Sequence, residues 1–134
     1  MAINLGPIGQ VALTVDDVDA AELFYTQALG LRKLFRYGDL LFVDAGGVRL
    51  LIERSPQVPF VPSSSVVYFR VPDIPVTMQA LAARGVEFAD TPHCIAPMED
   101  HDLWMVFLRD PAGNPLALMQ EAPKGWSPAT EGTA

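Results

Sequence analysis

Apolar and polar residues alternate along residues 8–15 (IGQVALTV), which is the pattern of a strand with one buried face. Over residues 18–29 the apolar positions change to helical spacing, with Asp17 as a predicted N-cap and Gly30 as the stop. Three more strands are expected near 31–37, 39–44 and 48–53. The first half of the chain therefore predicts a β-α-β-β-β unit.

The second half follows the same plan. A strand is expected over residues 65–72 and a helix over 74–84, with Asp73 as its cap. Three strands should follow, near 86–90, 103–109 and 114–120. Residues 91–102 (TPHCIAPMEDHD) are expected to form a long loop, and the tail, residues 122–134, is expected to be loose.

Two sequence matches in the same order indicate that the unit is duplicated. DAGGVRLLI (44–52) aligns with DPAGNPLAL (110–118), and VALTVDDV (11–18) aligns with VYFRVPDI (67–74). One such unit covers only one face of its sheet with its helix, so two units facing each other can enclose a cleft. The pattern predicts an α+β fold in a single domain, residues 1–134, with modules at about 7–54 and 65–121.

The composition of the chain disfavours two classes of binding partner. The chain of 134 residues is 50% hydrophobic and carries a net charge of −7, without the clustered Lys and Arg that nucleic acid or an anionic membrane surface attracts. Its apolar runs are shorter than the roughly 20 residues of a bilayer span. The single Cys94 cannot form an internal disulfide, which agrees with a reducing compartment. We therefore expect a cytoplasmic protein with no nucleic acid or membrane partner.

The segments VALTVDDVDAAELFYTQALGL (11–31), VYFRVPDI (67–74) and FLRDPAGNPLAL (107–118) resemble the vicinal oxygen chelate superfamily, which includes glyoxalase I, bleomycin-resistance proteins and extradiol dioxygenases. The resemblance implies a glyoxalase-like fold of two tandem β-α-β-β-β modules whose sheets enclose a cleft. It also implies a homodimer. Because this superfamily hosts many chemistries, the function has to be inferred from the site.

The metal-dependent members hold one metal ion with a side chain from each of four strands. The resemblance places these four positions on Gln10, Leu51, Val66 and Ala117. Only Gln10 has a donor atom, and one amide oxygen does not hold a divalent cation against water. We therefore expect no metal site and no cofactor.

Alternation also predicts which polar side chains face the cleft. They are Gln10, Thr14, Glu53, Tyr68 and Arg70, with Trp104 or its neighbours on the seventh strand, and His101 near the mouth. Two other interpretations remain open: Gln10 as a buried amide bonded to a neighbouring strand, and Glu53 with Arg70 as an internal ion pair. For the 91–102 loop, a lid is one interpretation and a metal site another, with His93 placed on the outer part of the loop.

Three functions are compatible with these residues. The first is a metal-free protein of the bleomycin-resistance type that binds a small organic molecule through Gln10, Tyr68, Arg70, Trp104 and His101. The second is a glyoxalase-like lyase, isomerase or dioxygenase with a non-standard site, in which Glu53 is the general base. The third, a purely structural or assembly role, has no specific sequence feature in its favour.

Overall fold

The computed structural model describes residues 3–128. The chain divides into two compact units, Met1–Ser63 and Ser64–Ala134. The α+β fold and the two predicted β-α-β-β-β modules are confirmed. Within the described residues, none of the helices has the length and apolar character that crossing a membrane requires.

The first unit contains one four-stranded sheet in the order β1-β4-β3-β2, with β1 parallel to β4 and the other pairs antiparallel. A π-helical segment, Leu23–Ala28, continues directly from the α-helix, so the predicted helix over 18–29 is found as two joined pieces. The elements are β1 Gln10–Val15, α1 Val18–Glu22, β2 Arg32–Tyr37, β3 Leu40–Ala45 and β4 Val48–Arg54.

Local chemistry explains these boundaries. The Asp17 side chain accepts a hydrogen bond from the Ala20 backbone N–H at 3.1 Å, which satisfies a free donor of the first turn. Gly30 ends the helical segment with φ of 77°, a left-handed conformation that suits glycine. Both assignments made from the sequence are confirmed.

The second unit contains a second four-stranded sheet, in the order β5-β8-β7-β6, with β5 parallel to β8. Asp73 caps its helix, accepting from the Val76 backbone N–H at 3.0 Å. The elements are β5 Val67–Arg70, α2 Ile74–Ala82, β6 His93–Pro97, β7 Asp102–Arg109 and β8 Pro115–Ala122.

One predicted strand is wrong. Residues 86–90 form no strand, and Phe88 makes only an isolated bridge to Leu108. The backbone N–H of Val86 bonds back to Leu81, at the end of α2, so this segment completes the helix terminus. The edge of the sheet is built instead by β6, in the stretch expected to be a loop.

The helix of each unit defines the two faces of its sheet. In the first unit α1 packs on β3 and β4, and in the second α2 packs on β8. We call the covered side the helix face and the opposite side the non-helix face. The helix faces hold most of the buried apolar side chains, among them Leu13, Val15, Leu41, Val43, Leu50, Ile52, Val106, Leu108, Leu116 and Leu118.

A buried glutamine ties α2 to its sheet. Gln120 is 4% exposed, and its Oε1 accepts a hydrogen bond from the Ile74 backbone N–H at 2.8 Å. We expect Gln120→Leu to lower the free energy of unfolding by about 1.5 kcal/mol, because it leaves a buried donor without a partner. Gln79→Leu, at an exposed position of α2, should change it by less than about 0.5 kcal/mol. Urea unfolding of both variants measures the difference, and equal losses would contradict the assigned role of Gln120.

Candidate functional site

Four side chains form a continuous cluster on the non-helix face of the first unit. The Arg49 Nε donates to the Gln10 Oε1 at 2.8 Å, and the Arg49 guanidinium carbon lies 5.4 Å from the centre of the Phe42 ring. On the same sheet, the Phe42 and Phe35 rings stack with centroids 4.4 Å apart and planes inclined by 21°. We call Gln10, Phe35, Phe42 and Arg49 the Arg49 cluster.

Strand register brings these residues together. Gln10 on β1 lies beside Arg49 on β4, and Phe42 on β3 lies opposite Phe35 on β2. Residues paired across a sheet point to the same side, so the cluster crosses all four strands. The result is a cation held between an amide and an aromatic ring on a partly apolar surface.

Glu53 lies on the same face, four residues beyond Arg49 on β4, between Thr14 on β1 and Leu40 on β3. The half-buried Glu53 lines a shallow pocket of about 360 Å³ together with Asp39, Leu40, Arg54, Ser55, Pro56 and Val58. Within this pocket Asp39 is 3.9 Å from the Arg54 guanidinium. A carboxylate facing a pocket can act as a general base or hold a cationic group.

An aromatic row crosses the non-helix face of the second unit. The row consists of Tyr68, Phe107 and His93. The Tyr68 ring meets the Phe107 ring edge to face, with centroids 6.3 Å apart, and the His93 ring stacks on the same Phe107 ring at 6.1 Å. Arg70 lies on the same face and forms an ion pair of 3.0 Å with Glu121. The ion-pair interpretation gave Glu53 as the partner of Arg70, whereas its partner in the structure, Glu121, belongs to its own sheet.

Trp104 lies on the opposite face from that predicted. It pairs with Gln120, which faces α2, so Trp104 points to the helix face and away from Tyr68 and Arg70. Its ring meets Trp126 edge to face at 5.4 Å. The error is one of register, because shifting a strand by one residue exchanges its two faces.

The 91–102 segment is largely structured. His93, predicted on the outer part of a loop, lies in β6 beside Met105. His101 is half-buried in the turn, with Nδ1 2.7 Å from the Asp100 Oδ1, and this hydrogen bond lowers the pKa of the Asp100 carboxyl. Lys124 donates to Asp102 at 2.8 Å and lowers the pKa of that carboxyl. The turn is therefore fastened to residues that follow β8.

The four positions that resemble metal ligands do not fit a metal ion. Leu51, Val66 and Ala117 have no donor atoms, and the Gln10 oxygen already accepts a hydrogen bond from the cationic Arg49. A guanidinium at this distance repels a divalent cation. Across residues 3–128, no three side chains of His, Cys, Asp or Glu gather as a metal site.

Sequence reasoning missed the residues that organise these faces. Arg49 precedes Leu51 and Glu53 at period two in VRLLIER, so alternation already placed it on their face. Phe42 and Phe107 are likewise at alternating positions of their strands. Because only polar side chains were considered as candidates for the cleft face, Phe42 and Phe107 were not included.

The comparisons with known proteins agree on the fold. This chain is similar to the crystal structure of a lactoylglutathione lyase from Agrobacterium tumefaciens, with 25% identity, a TM-score of 0.68, and 87% of this chain and 94% of that chain covered. It is also similar to the crystal structure of TioX from Micromonospora sp. ML1, with 20% identity, a TM-score of 0.69, and 87% and 99% covered. A glyoxalase/bleomycin resistance protein/dioxygenase from Alicyclobacillus acidocaldarius gives a TM-score of 0.70 at 21% identity, with 85% and 90% covered. No curated protein sequence gives a significant match.

A family model covers most of the same region. The model of the Glyoxalase/Bleomycin resistance protein/Dioxygenase superfamily matches residues 7–118, which include the Arg49 cluster, Glu53 and the aromatic row. Both β-α-β-β-β modules lie almost entirely within this match. The chain therefore belongs to the glyoxalase/bleomycin resistance protein/dioxygenase superfamily.

Proposed function

We propose that this protein binds a small organic molecule on the non-helix faces of its sheets and does so without a metal ion. The hydrogen bond from Arg49 to Gln10 is the observation that carries the proposal. Gln10 is the one metal-ligand position that retains a donor atom, and this hydrogen bond engages its oxygen with the Arg49 guanidinium instead of a metal ion. The cytoplasmic location and the homodimer stay predictions.

The chemistry of these faces suits such a ligand. Rigid aromatic side chains provide large contact areas at low cost in conformational entropy, and a few polar groups fix the orientation of the bound molecule. Tyr68 on the second sheet is 44% exposed and Phe35 on the first is 50% exposed, so each sheet by itself offers ring surface to a ligand. Arg49 and Glu53 supply one group of each charge.

A second candidate is a lyase or isomerase that uses Glu53 as general base. The pocket in front of Glu53 and the 25% identity to a lactoylglutathione lyase favour it. This reaction needs a proton acceptor beside a carbon acid and a group that stabilises the resulting enolate. Glu53→Gln distinguishes the candidates, because it removes a base but leaves the aromatic surfaces intact.

The test combines metal analysis with a ligand screen. Protein purified without chelator should contain far less than one divalent ion per chain, and a screen of small aromatic molecules should yield binders. Tyr68→Ala should weaken such a binder by at least about 1 kcal/mol, the order of a lost aromatic contact, as measured by calorimetric titration.

Val76→Ala is the control. Val76 is also an exposed apolar residue of the second unit, but it lies on α2, so its substitution should leave the affinity unchanged. About one tightly bound divalent ion per chain would overturn the metal-free proposal. Catalytic turnover of a glyoxalase-type substrate that Glu53→Gln abolishes would favour the second candidate.

A further inference from the structure

The geometry of Arg49 leaves its outer donors available. A guanidinium has five N–H groups, and the Nε–H of Arg49 is used by Gln10. Among the residues that the structure describes, the Nη atoms of Arg49 have no hydrogen-bond or ion-pair partner, and the residue is exposed. The neighbouring carboxylate, Asp44, accepts from the Gly47 N–H at 2.9 Å and lies 3.6 Å from Arg32. Arg49 is thus fixed in orientation while four of its donors remain unused.

A guanidinium held in this way is a preorganised carboxylate site. Two parallel N–H groups match the two oxygens of a carboxylate, and the fixed plane reduces the entropy lost on binding. Lysine could not replace it, because an ammonium group has neither the fork nor the flat face. The restraint is applied at both sides of the arginine, by the Gln10 amide and by the Phe42 ring.

The surface beside Arg49 is apolar. Phe42 and Leu51 are half-buried neighbours on the same face, and Phe35 extends the surface to the edge strand β2. A ligand whose carboxylate meets the Nη atoms would therefore rest an apolar body on these side chains. The net charge of −7 does not attract anions at long range, so the local pairing has to provide the selectivity.

We propose that the Arg49 cluster binds the carboxylate of an aromatic acid, with Arg49 as the anchor and Gln10 as its positioning residue. The inference deepens the proposed function by naming the class of ligand. Gln10 acts through Arg49: its amide oxygen keeps the guanidinium from rotating off the Phe42 ring.

The test compares two probes of the same shape, 2-naphthoate and the neutral 2-naphthamide, by calorimetric or fluorescence titration. The wild-type protein should bind the acid about tenfold more tightly than the amide, the order of one charge-assisted hydrogen-bonded pair. Arg49→Gln should abolish this preference by weakening the acid and leaving the amide unchanged. Arg49→Lys should keep only a small part of the preference for the acid, since lysine retains the positive charge but lacks the two parallel N–H groups of the guanidinium.

Arg32→Gln is the matched control. Arg32 is an exposed arginine on the non-helix face of the same sheet, paired with Asp44, and within residues 3–128 it has no cation–π contact with an aromatic ring. Its substitution should leave the preference for the acid intact. Gln10→Leu should reduce the preference without changing the thermal midpoint, which separates positioning of Arg49 from a structural role.

Equal affinity for the two probes, no binding of either, or an unchanged preference in Arg49→Gln would overturn the assignment of a carboxylate site. These results are distinct from failure of the proposed function. If the screen yields neutral or cationic ligands that depend on Tyr68, the proposed function holds and only the ligand class is wrong. A stoichiometric divalent ion would count against the proposed function itself.

Discussion

Replacement of Asp110 by alanine is expected to lower the free energy of unfolding by about 3 kcal/mol. The Asp110 carboxylate is 4% exposed and accepts hydrogen bonds from the Asn114 backbone at 2.8 Å, the Ala112 backbone at 3.0 Å and the Asn114 Nδ2 at 3.0 Å. Asn114 is fully buried, so its donors would lose their acceptor where water cannot replace it. Chemical unfolding monitored by circular dichroism measures the loss.

The first half of the chain provides the control. Asp44 stands at the equivalent position of the repeated Asp-x-x-Gly motif and accepts from the Gly47 N–H at 2.9 Å, but its side chain is 31% exposed. In Asp44→Ala, water can accept the hydrogen bond from the Gly47 N–H, so we expect the free energy of unfolding to fall by less than about 1 kcal/mol. If Asp110→Ala and Asp44→Ala lowered the free energy of unfolding equally, the burial of Asp110 would not be the cause of the loss.

The sequence predicted the parts of the fold that local chemistry determines. Asp17 and Asp73 cap the helices as expected, since an aspartate ahead of a helical apolar pattern has a donor to satisfy. The strand over 86–90 was wrong because VEFAD alternates like a strand, while the preceding helix end already takes the Val86 N–H. Alternation predicts a pleated surface but not which of two nearby segments pairs with β7.

The candidate site was predictable only in part. Gln10 and Glu53 lie on the expected face, because β1 and β4 are regular and the period of two holds along them. Trp104 was misplaced because residues 103–108 (LWMVFL) are all apolar, so alternation does not indicate which of them face α2. His93 was misplaced because residues 91–102 were expected to be a loop, whereas His93–Pro97 form β6. The pairing of β6 with β7 is also shifted between Cys94 and Ala96. A bulge of this kind adds a residue to one strand and leaves no clear signature in the sequence.

The contacts of Gln10 could not be read from the sequence either. Gln10 is exposed and bonded to a neighbouring strand, so the interpretation of Gln10 as a buried amide, one of two left open, has the bond right and the burial wrong. Its partner, Arg49, is 39 residues away and follows from the parallel pairing of β1 with β4. Long-range pairing of this kind is set by tertiary structure.

Trp104→Ala is expected to lower the free energy of unfolding by about 2.5 kcal/mol, and to leave ligand affinity unchanged in protein that is still folded. Trp104 is half-buried on the helix face and packs against Trp126, so its removal opens a space between β7 and the residues after β8. Tyr68→Ala should show the opposite pattern, with a stability change under about 0.5 kcal/mol and a weaker ligand. Thermal unfolding and calorimetric titration of both variants measure the two effects.

Trp104→Phe separates packing from hydrogen bonding. The Trp104 Nε1 is buried and has no hydrogen-bond partner among the described residues, so the indole N–H adds a desolvation cost that phenylalanine avoids. We expect Trp104→Phe to retain more than half of the stability that Trp104→Ala loses, because it keeps a ring against Trp126. If Trp104→Ala instead leaves stability intact and abolishes binding, Trp104 contacts the ligand and the helix-face assignment of its side chain is wrong.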